Sequence, residues 1–347
     1  MQRQGEFGMK SFKSLALLGL ATVSSMGSMT ATAAEDLTVY SYRQAFLVEP
    51  ILEKFTQDTG INVNVVFAKD GIAERIAREG RLSPADVVLT SDFSRLMELV
   101  EKDLVVDVNS DTLNNNIPEQ YRSPENDWYA LTMRVRNVYS SKDRVGKLDL
   151  SYEDLASEEY RGKICTRSFK HPYNIALVAS MIAHHGEAET KTWLEGVKAN
   201  LARKPQGNDR AQVKAVKEGL CDIAIGNSYY FGKMMSDPKQ KSWAEAVYIN
   251  FPNQQNRGSH INVSGMALAK FAPNKDNAIK LMEFLSSDVA QKSYAEVNME
   301  YPVKADVKPS EMVASWGDFK ADSLPIFKLA ENHQAAVKLL DEVKFDL

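Results

Sequence analysis

Two separate runs of alternating strand-like and helix-like segments constrain this chain more than any other feature. In the first run, residues 37–42 read as a strand. Leu47, Val48, Ile51, Leu52 and Phe55 then recur at helical spacing across 46–59. Residues 61–68 alternate with period two, Ile72 and Ile76 stand one turn apart in 72–79, 85–90 form a short apolar run, and 93–100 return to a helical pattern. The second run predicts a strand over 162–166, helices over 173–185, 187–201 and 209–218, and strands over 221–225, 247–251 and 260–270. Helices over 274–287 and 289–297 follow, and the tail from Ser310 reads as mostly helical. Such alternation builds parallel sheet covered by helices. The fold class expected is therefore α/β, with two α/β lobes. Ligands of such sheets collect at the carboxyl ends of the strands.

The first 34 residues read as a secretory leader. Lys10 and Lys13 precede the short apolar run LALLGLATV, and ATAA ends at Ala34. That run is too short for a membrane span, which takes about 20 residues, and no later segment is long and apolar enough. Removing 1–34 leaves 313 residues with 39 basic and 45 acidic side chains, a net charge of −6. This acidity gives no basic field for nucleic acid. The protein is expected to be a soluble, exported, acidic one. An oxidising compartment favours pairing Cys165 with Cys221, against two buried thiols that never meet.

Four stretches fall at predicted strand ends. Asn227-Ser228-Tyr229-Tyr230 follows the apolar strand CDIAIG and precedes a helix. Two adjacent tyrosines there serve either a ligand or lobe-surface packing. The stretch 166–174 (TRSFKHPYN) also follows a strand and places Tyr173 in the first turn of a helix. Arg167, Lys170 and His171 make that edge positive, which suits an anion at a helix N-terminus. Tyr42, Arg43 and Gln44 end the first strand. Arg134 and Arg136 lie two apart on an extended segment, so they share one face. The ordinary fate of such arginines is a solvated or salt-bridged surface position.

Other chemistries are weakly signalled. Two Cys and five His leave little room for a zinc or iron–sulfur cluster. No GxGxxG or GxxxxGK[ST] follows a strand, and neither HExxH nor GxSxG occurs. His184-His185 precede Gly186 at a helix end, where the helix dipole favours positive charge. An exported hydrolase lacks a recognisable nucleophile and base, so no enzyme activity is expected.

The segments VYSYRQ, SPADVVLT, RGKICTRS, HPYN, PQGNDRAQVKAVKEG and CDIAIGNSYYFG resemble bacterial periplasmic ferric-ion-binding proteins, the substrate-binding components of iron(III) ABC importers. The resemblance covers nearly all of 35–347 and is most specific at NSYYFG. It implies a two-lobed periplasmic binding protein of type II, its lobes joined by crossover strands around a cleft. The first lobe would comprise 35–134 and about 262–312, the second 135–261 and about 313–347. It implies ferric iron held by Tyr229, Tyr230 and Tyr173. It also implies delivery to an inner-membrane ABC permease with its ATPase. Gln44 and Ala45 stand where many family members place His or His-Tyr, and Ser91, beside Asp92, where some place Glu. The first lobe then offers no strong ligand, and a synergistic anion, carbonate or bicarbonate, fills the remaining positions. Arg134 and Arg43 are the candidates to hold it, with Tyr42, Gln44 and Asn227 as further neighbours.

The chemistry agrees with that implication. A free phenol titrates near pH 10, and a bound cation ionises it at neutral pH. Three phenolates balance the charge of Fe³⁺, and an arginine fork suits a planar oxyanion. A second reading stays open on fold grounds, because function lives in the site. The same architecture could bind a small organic or anionic solute, such as a polyamine, thiamine or a phosphonate.

Overall fold

The computed structural model describes residues 36–347, so the leader read over 1–34 lies outside the described residues. The first run comprises β1 (Leu37–Ser41), α1 (Ala45–Thr59), β2 (Val63–Phe67), α2 (Ile72–Glu79), β3 (Val87–Thr90) and α3 (Phe93–Glu101). Apolar residues Leu47, Val48, Ile51, Leu52 and Phe55 form the buried stripe of α1, as their spacing requires. β4 (Val105–Val106) and α4 (Asp111–Asn116) lead into β5 (Tyr129–Ser141). The second run comprises β6 (Ile164–Cys165), α5 (Pro172–Ala199), α6 (Asp209–Lys217), β7 (Ile223–Asn227), α7 (Tyr229–Ser236), α8 (Lys241–Glu245) and β8 (Val247–Asn250). The chain continues through β9 (Ile261–Ala269), α9 (Lys275–Leu285), α10 (Asp288–Asn298) and β10 (Tyr301–Pro302). It ends with α11 (Glu311–Ala314), α12 (Lys328–Glu331) and α13 (His333–Val343).

The strands order β2-β1-β3-β9-β5-β7-β6, with β4 on β9 and both β8 and β10 on β5. β1 is parallel to β2 and β3, and β6 is parallel to β7. β9 runs antiparallel to β3 and β5. The strand β5 is the structural pivot. Its first half pairs with β9 as far as Val135↔Ile261. From Arg136↔Asn227 onward it pairs with β7, and from Val138↔Asn250 with β8. Every residue of β5 is buried, so two sheets share one strand. A second core lies under the β7 side, gathering Phe169, Leu177, Trp193, Ile225, Leu340 and Phe345.

One sequence expectation is extended by the structure and two need correction. The residues 131–137, read only as extended, belong to a 13-residue strand. Its two arginines interrupt the apolar pattern that would mark it. The tail from Ser310 is less helical than its composition suggests. Only α11, α12 and α13 are α-helical there, and between them Ala321 bridges to Ser259. His184 and His185 do not serve as a helix cap. Their Nε2 atoms pair with Asp322 at 2.7 Å and Glu153 at 2.6 Å, tying the tail and an upstream turn to α5. The two helices expected over 173–185 and 187–201 meet end to end in α5, where Gly186 takes φ 75° and breaks the helical path.

Cys165 and Cys221 form a disulfide with Cα atoms 5.9 Å apart. It lies beside the β6–β7 pairing and closes a 56-residue separation. Replacing both cysteines by alanine is expected to lower stability by about 2–4 kcal/mol, chiefly by freeing the unfolded chain. The denaturant midpoint of the variant against the oxidised protein checks this, and equal midpoints would contradict it.

Candidate metal centre

Each tyrosine of the centre is placed by a short local device. Tyr173 is the second residue of α5, after Pro172 in the first helical position, where a missing N–H costs little. His171 caps that helix, its Nδ1 accepting the Tyr173 N–H at 3.2 Å. Burial, then the charge of Arg167, lowers the His171 imidazole to about 4, so the ring is neutral and free to accept. Tyr229 and Tyr230 open α7 directly after β7. Ser228 fixes this corner to the pivot strand. Its N–H donates to the Val135 carbonyl at 2.9 Å, and its Oγ accepts the Val135 N–H at 3.1 Å.

The structure brings the three tyrosines together. The Tyr173 and Tyr229 hydroxyls lie 3.4 Å apart, and the Tyr229 and Tyr230 rings are tilted with centroids 4.1 Å apart. Cations surround them. Arg134 and Arg167 stand 5.6 and 5.5 Å from the Tyr173 ring centre, Arg210 5.9 Å from that of Tyr230, and Lys233 5.4 Å from that of Tyr229. Burial first, then its tyrosine neighbours, pushes the Tyr229 phenol well above its ordinary range. Burial likewise pushes Tyr230 up to about 12. Both phenols are therefore protonated at neutral pH. Burial pushes Lys233 down.

Arg134 and Arg136 are 1% and 2% exposed, not surface groups. They share a strand face but serve different sheets. Arg134 donates to the Ser91 carbonyl and stands 3.6 Å from Glu300. Its Nε and Nη1 have no hydrogen-bond partner. Arg43 binds Glu300 at 2.9 Å and Asn298 at 3.0 Å. These two guanidiniums thus share one buried carboxylate beside the tyrosines. Asn227 ends β7 and accepts from Arg136 at 3.0 Å.

Tyr42 and Gln44 are placed otherwise. The Tyr42 hydroxyl accepts the Ala73 N–H at 3.2 Å, and Arg95 stands 4.0 Å from its ring centre. Gln44 is exposed at the start of α1 and makes no side-chain cap. Among the described residues, neither hydrogen-bonds to the three phenols.

Sequence reasoning missed Glu300, Lys233, Arg210 and Asp209. Lys233 was within reach, since it lies one turn after Tyr229 and so shares its helix face. Glu300 carried no local signal, being 257 residues from its partner Arg43. Among the described residues no group of three His, Cys, Asp or Glu side chains is placed to hold a metal. The phenol oxygens gathered here are donors of the kind that suits a hard cation.

The α/β sheets joined by a shared strand, with a cation-ringed tyrosine cluster at the strand ends, are those of a binding protein. Residues 83–320 match the bacterial extracellular solute-binding protein family, and the chain belongs to it. Over 312 residues it is 42% identical to iron uptake protein A1 of Synechocystis, covering 89% of this chain and 87% of that one. The ferric iron-binding protein A of Mannheimia haemolytica in an open conformation superimposes with a TM-score of 0.89 at 56% identity, covering 90% of this chain and 100% of that one. A Trichodesmium protein in complex with iron and citrate ligands gives a TM-score of 0.86 at 40% identity, covering 89% and 99% of the two chains. These are type II periplasmic binding proteins, and the two-lobed α/β architecture is shared.

Proposed function

We propose that the protein captures ferric iron in the periplasm and hands it to an inner-membrane ABC permease with its ATPase. The observation that carries this reading is the convergence of Tyr173, Tyr229 and Tyr230 within a ring of cations. Three phenolates match the charge of Fe³⁺, and iron displaces their protons as it binds. The surrounding cations then leave room for an additional anion. Carbonate or bicarbonate is the proposed co-ligand, held by Arg134, whose buried Nε has no hydrogen-bond partner and whose Nη1 meets only Glu300, at 3.6 Å. Arg43 acts from behind through Glu300. The names of the relatives, which bind or take up iron, support the reading.

The lobes proposed are 35–134 with about 262–312, and 135–261 with about 313–347, hinged where β5 changes partners. The working form is proposed to be a monomer released from its leader near Ala34, with no catalytic role. Among the described residues no helix is long and apolar enough to cross a membrane.

The test is the visible spectrum of residues 35–347 mixed with ferric citrate and bicarbonate. A broad tyrosinate-to-iron charge-transfer band that survives desalting is expected. A colourless protein that loses iron on desalting would overturn the reading. Screening would then turn to small organic and anionic solutes.

A further inference from the structure

Arg136 occupies the position at which the pivot strand β5 leaves β9 and joins β7. Its guanidinium is fully committed. Nε and Nη2 donate to Asn174 Oδ1 at 3.0 and 2.7 Å, and Nη1 donates to Asp209 Oδ2 at 2.6 Å and Asn227 Oδ1 at 3.0 Å. Asn174 follows Tyr173 directly, and Asn227 stands two residues before Tyr229. The network closes on itself. Asp209 Oδ2 also accepts the Asn227 N–H at 2.9 Å, and Asn174 Nδ2 donates to the Arg167 and Ser168 carbonyls at 3.3 and 3.1 Å. Arg136, Asn174, Asp209 and Asn227 are all 2% exposed or less.

A buried ion pair is a weak source of stability, because desolvation offsets the attraction. What this one supplies is geometry. A planar fork with five donors fixes three acceptors at set angles, which a lysine ammonium cannot do. Asn174 and Asn227 lie on the two segments that carry the three tyrosines, and the third acceptor, Asp209, opens α6 and also holds the Asn227 N–H. We propose that Arg136 is a positioning residue that locks the Tyr173 loop to the Tyr229–Tyr230 corner, setting the phenols at ligating separation before metal arrives. Being part of the pivot strand, it moves both segments together when the lobes rotate. The inference rests on the reading of these tyrosines as ferric ligands, but the brace itself exists without metal.

The test therefore has a metal-free arm and a metal arm, on residues 35–347. Arg136→Lys keeps the charge and loses the fork. Asn174→Ala cuts the link to the Tyr173 loop, together with the bonds to the Arg167 and Ser168 carbonyls, leaves Arg136 on Asp209 and Asn227, and serves if the lysine variant fails to fold. Arg144→Lys is the control. It alters another arginine bonded across the same sheet, to Asp222 at 2.6 Å, away from the tyrosines. In metal-free protein, Arg136→Lys is expected to speed amide exchange in 166–175 and 225–231 together, and Arg144→Lys in neither. In the ferric protein, Arg136→Lys is expected to shift the charge-transfer band and speed iron loss to a competing chelator roughly 10–100-fold, the usual cost of losing an outer-shell partner. Unchanged exchange in both segments, with an unchanged band and release rate, would overturn the proposal. Coupled exchange changes in a protein that never shows a band would leave the brace standing and remove the ferric reading instead.

Discussion

Tyr229→Phe is expected to abolish tight ferric binding, and Tyr229→Phe/Tyr230→Phe to remove the charge-transfer band altogether. Tyr229 is the middle of the cluster, sharing a hydroxyl contact with Tyr173 and lying against Tyr230. Phenylalanine keeps the ring and its packing but removes the oxygen that would meet the metal. It also leaves two phenolates against a trivalent cation, within a ring of positive side chains that no longer has its counter-charge. The affinity lost exceeds the roughly 10–100-fold that an outer-shell partner is worth. Tyr173→Phe and Tyr230→Phe are each expected to weaken the band and the affinity by less than the double variant. Chelator competition and visible absorbance check these outcomes together, with circular dichroism confirming the fold. A Tyr229→Phe protein with native absorbance and affinity would place the metal elsewhere.

Glu300→Ala is expected to destabilise the protein by about 3–5 kcal/mol, the cost of leaving buried charge without its partner. Glu300 is 1% exposed and holds Arg43 at 2.9 Å and Arg134 at 3.6 Å. Thr132 donates to the same carboxylate. Burial pushes the carboxyl up, but Arg43 and Arg134 outweigh it and hold it below its usual value of 4.5. The native value is thus the lower one. The stabilisation is complete above the unfolded value and is lost as pH falls through the native one. Glu300→Gln, which keeps the shape and removes the charge, therefore flattens the loss of stability below about pH 4.5 relative to the native protein. Denaturant midpoints at pH 7 and in that acid range measure both effects. An alanine variant as stable as the parent would mean that solvent reaches the two arginines.

The parts of the centre that sequence makes legible are those built by neighbours along the chain. Tyr229 and Tyr230 follow a short apolar strand, and Tyr173 opens a helix marked by Pro172, so both placements can be read locally. Arg136 could be seen, but its role could not, because its acceptors lie 38, 73 and 91 residues away. The end of the first strand shows the opposite limit. Tyr42, Arg43 and Gln44 are consecutive, yet β1 stops at Ser41 and the chain bends through Tyr42 and Arg43 before α1, which turns the three side chains apart. One packs under α2, one reaches the buried Glu300, and one faces solvent. Proximity in sequence suggested a shared role that the backbone geometry separates. The alternation of strands and helices was legible because burial imposes periods of 2 and 3.6 on the apolar residues. β5 escaped it because its charged residues are buried in pairs.

The position of β9 decides the order in which this molecule can be completed. It lies between β3 and β5, yet its residues come more than a hundred positions after both have been made. A nascent or translocating chain that has emerged only as far as residue 260 has two internal strands with open edges, which invite pairing with other chains. The N-terminal sheet therefore cannot close until the whole intervening β6–β8 region has been delivered. The last central strand to arrive seals both halves at once.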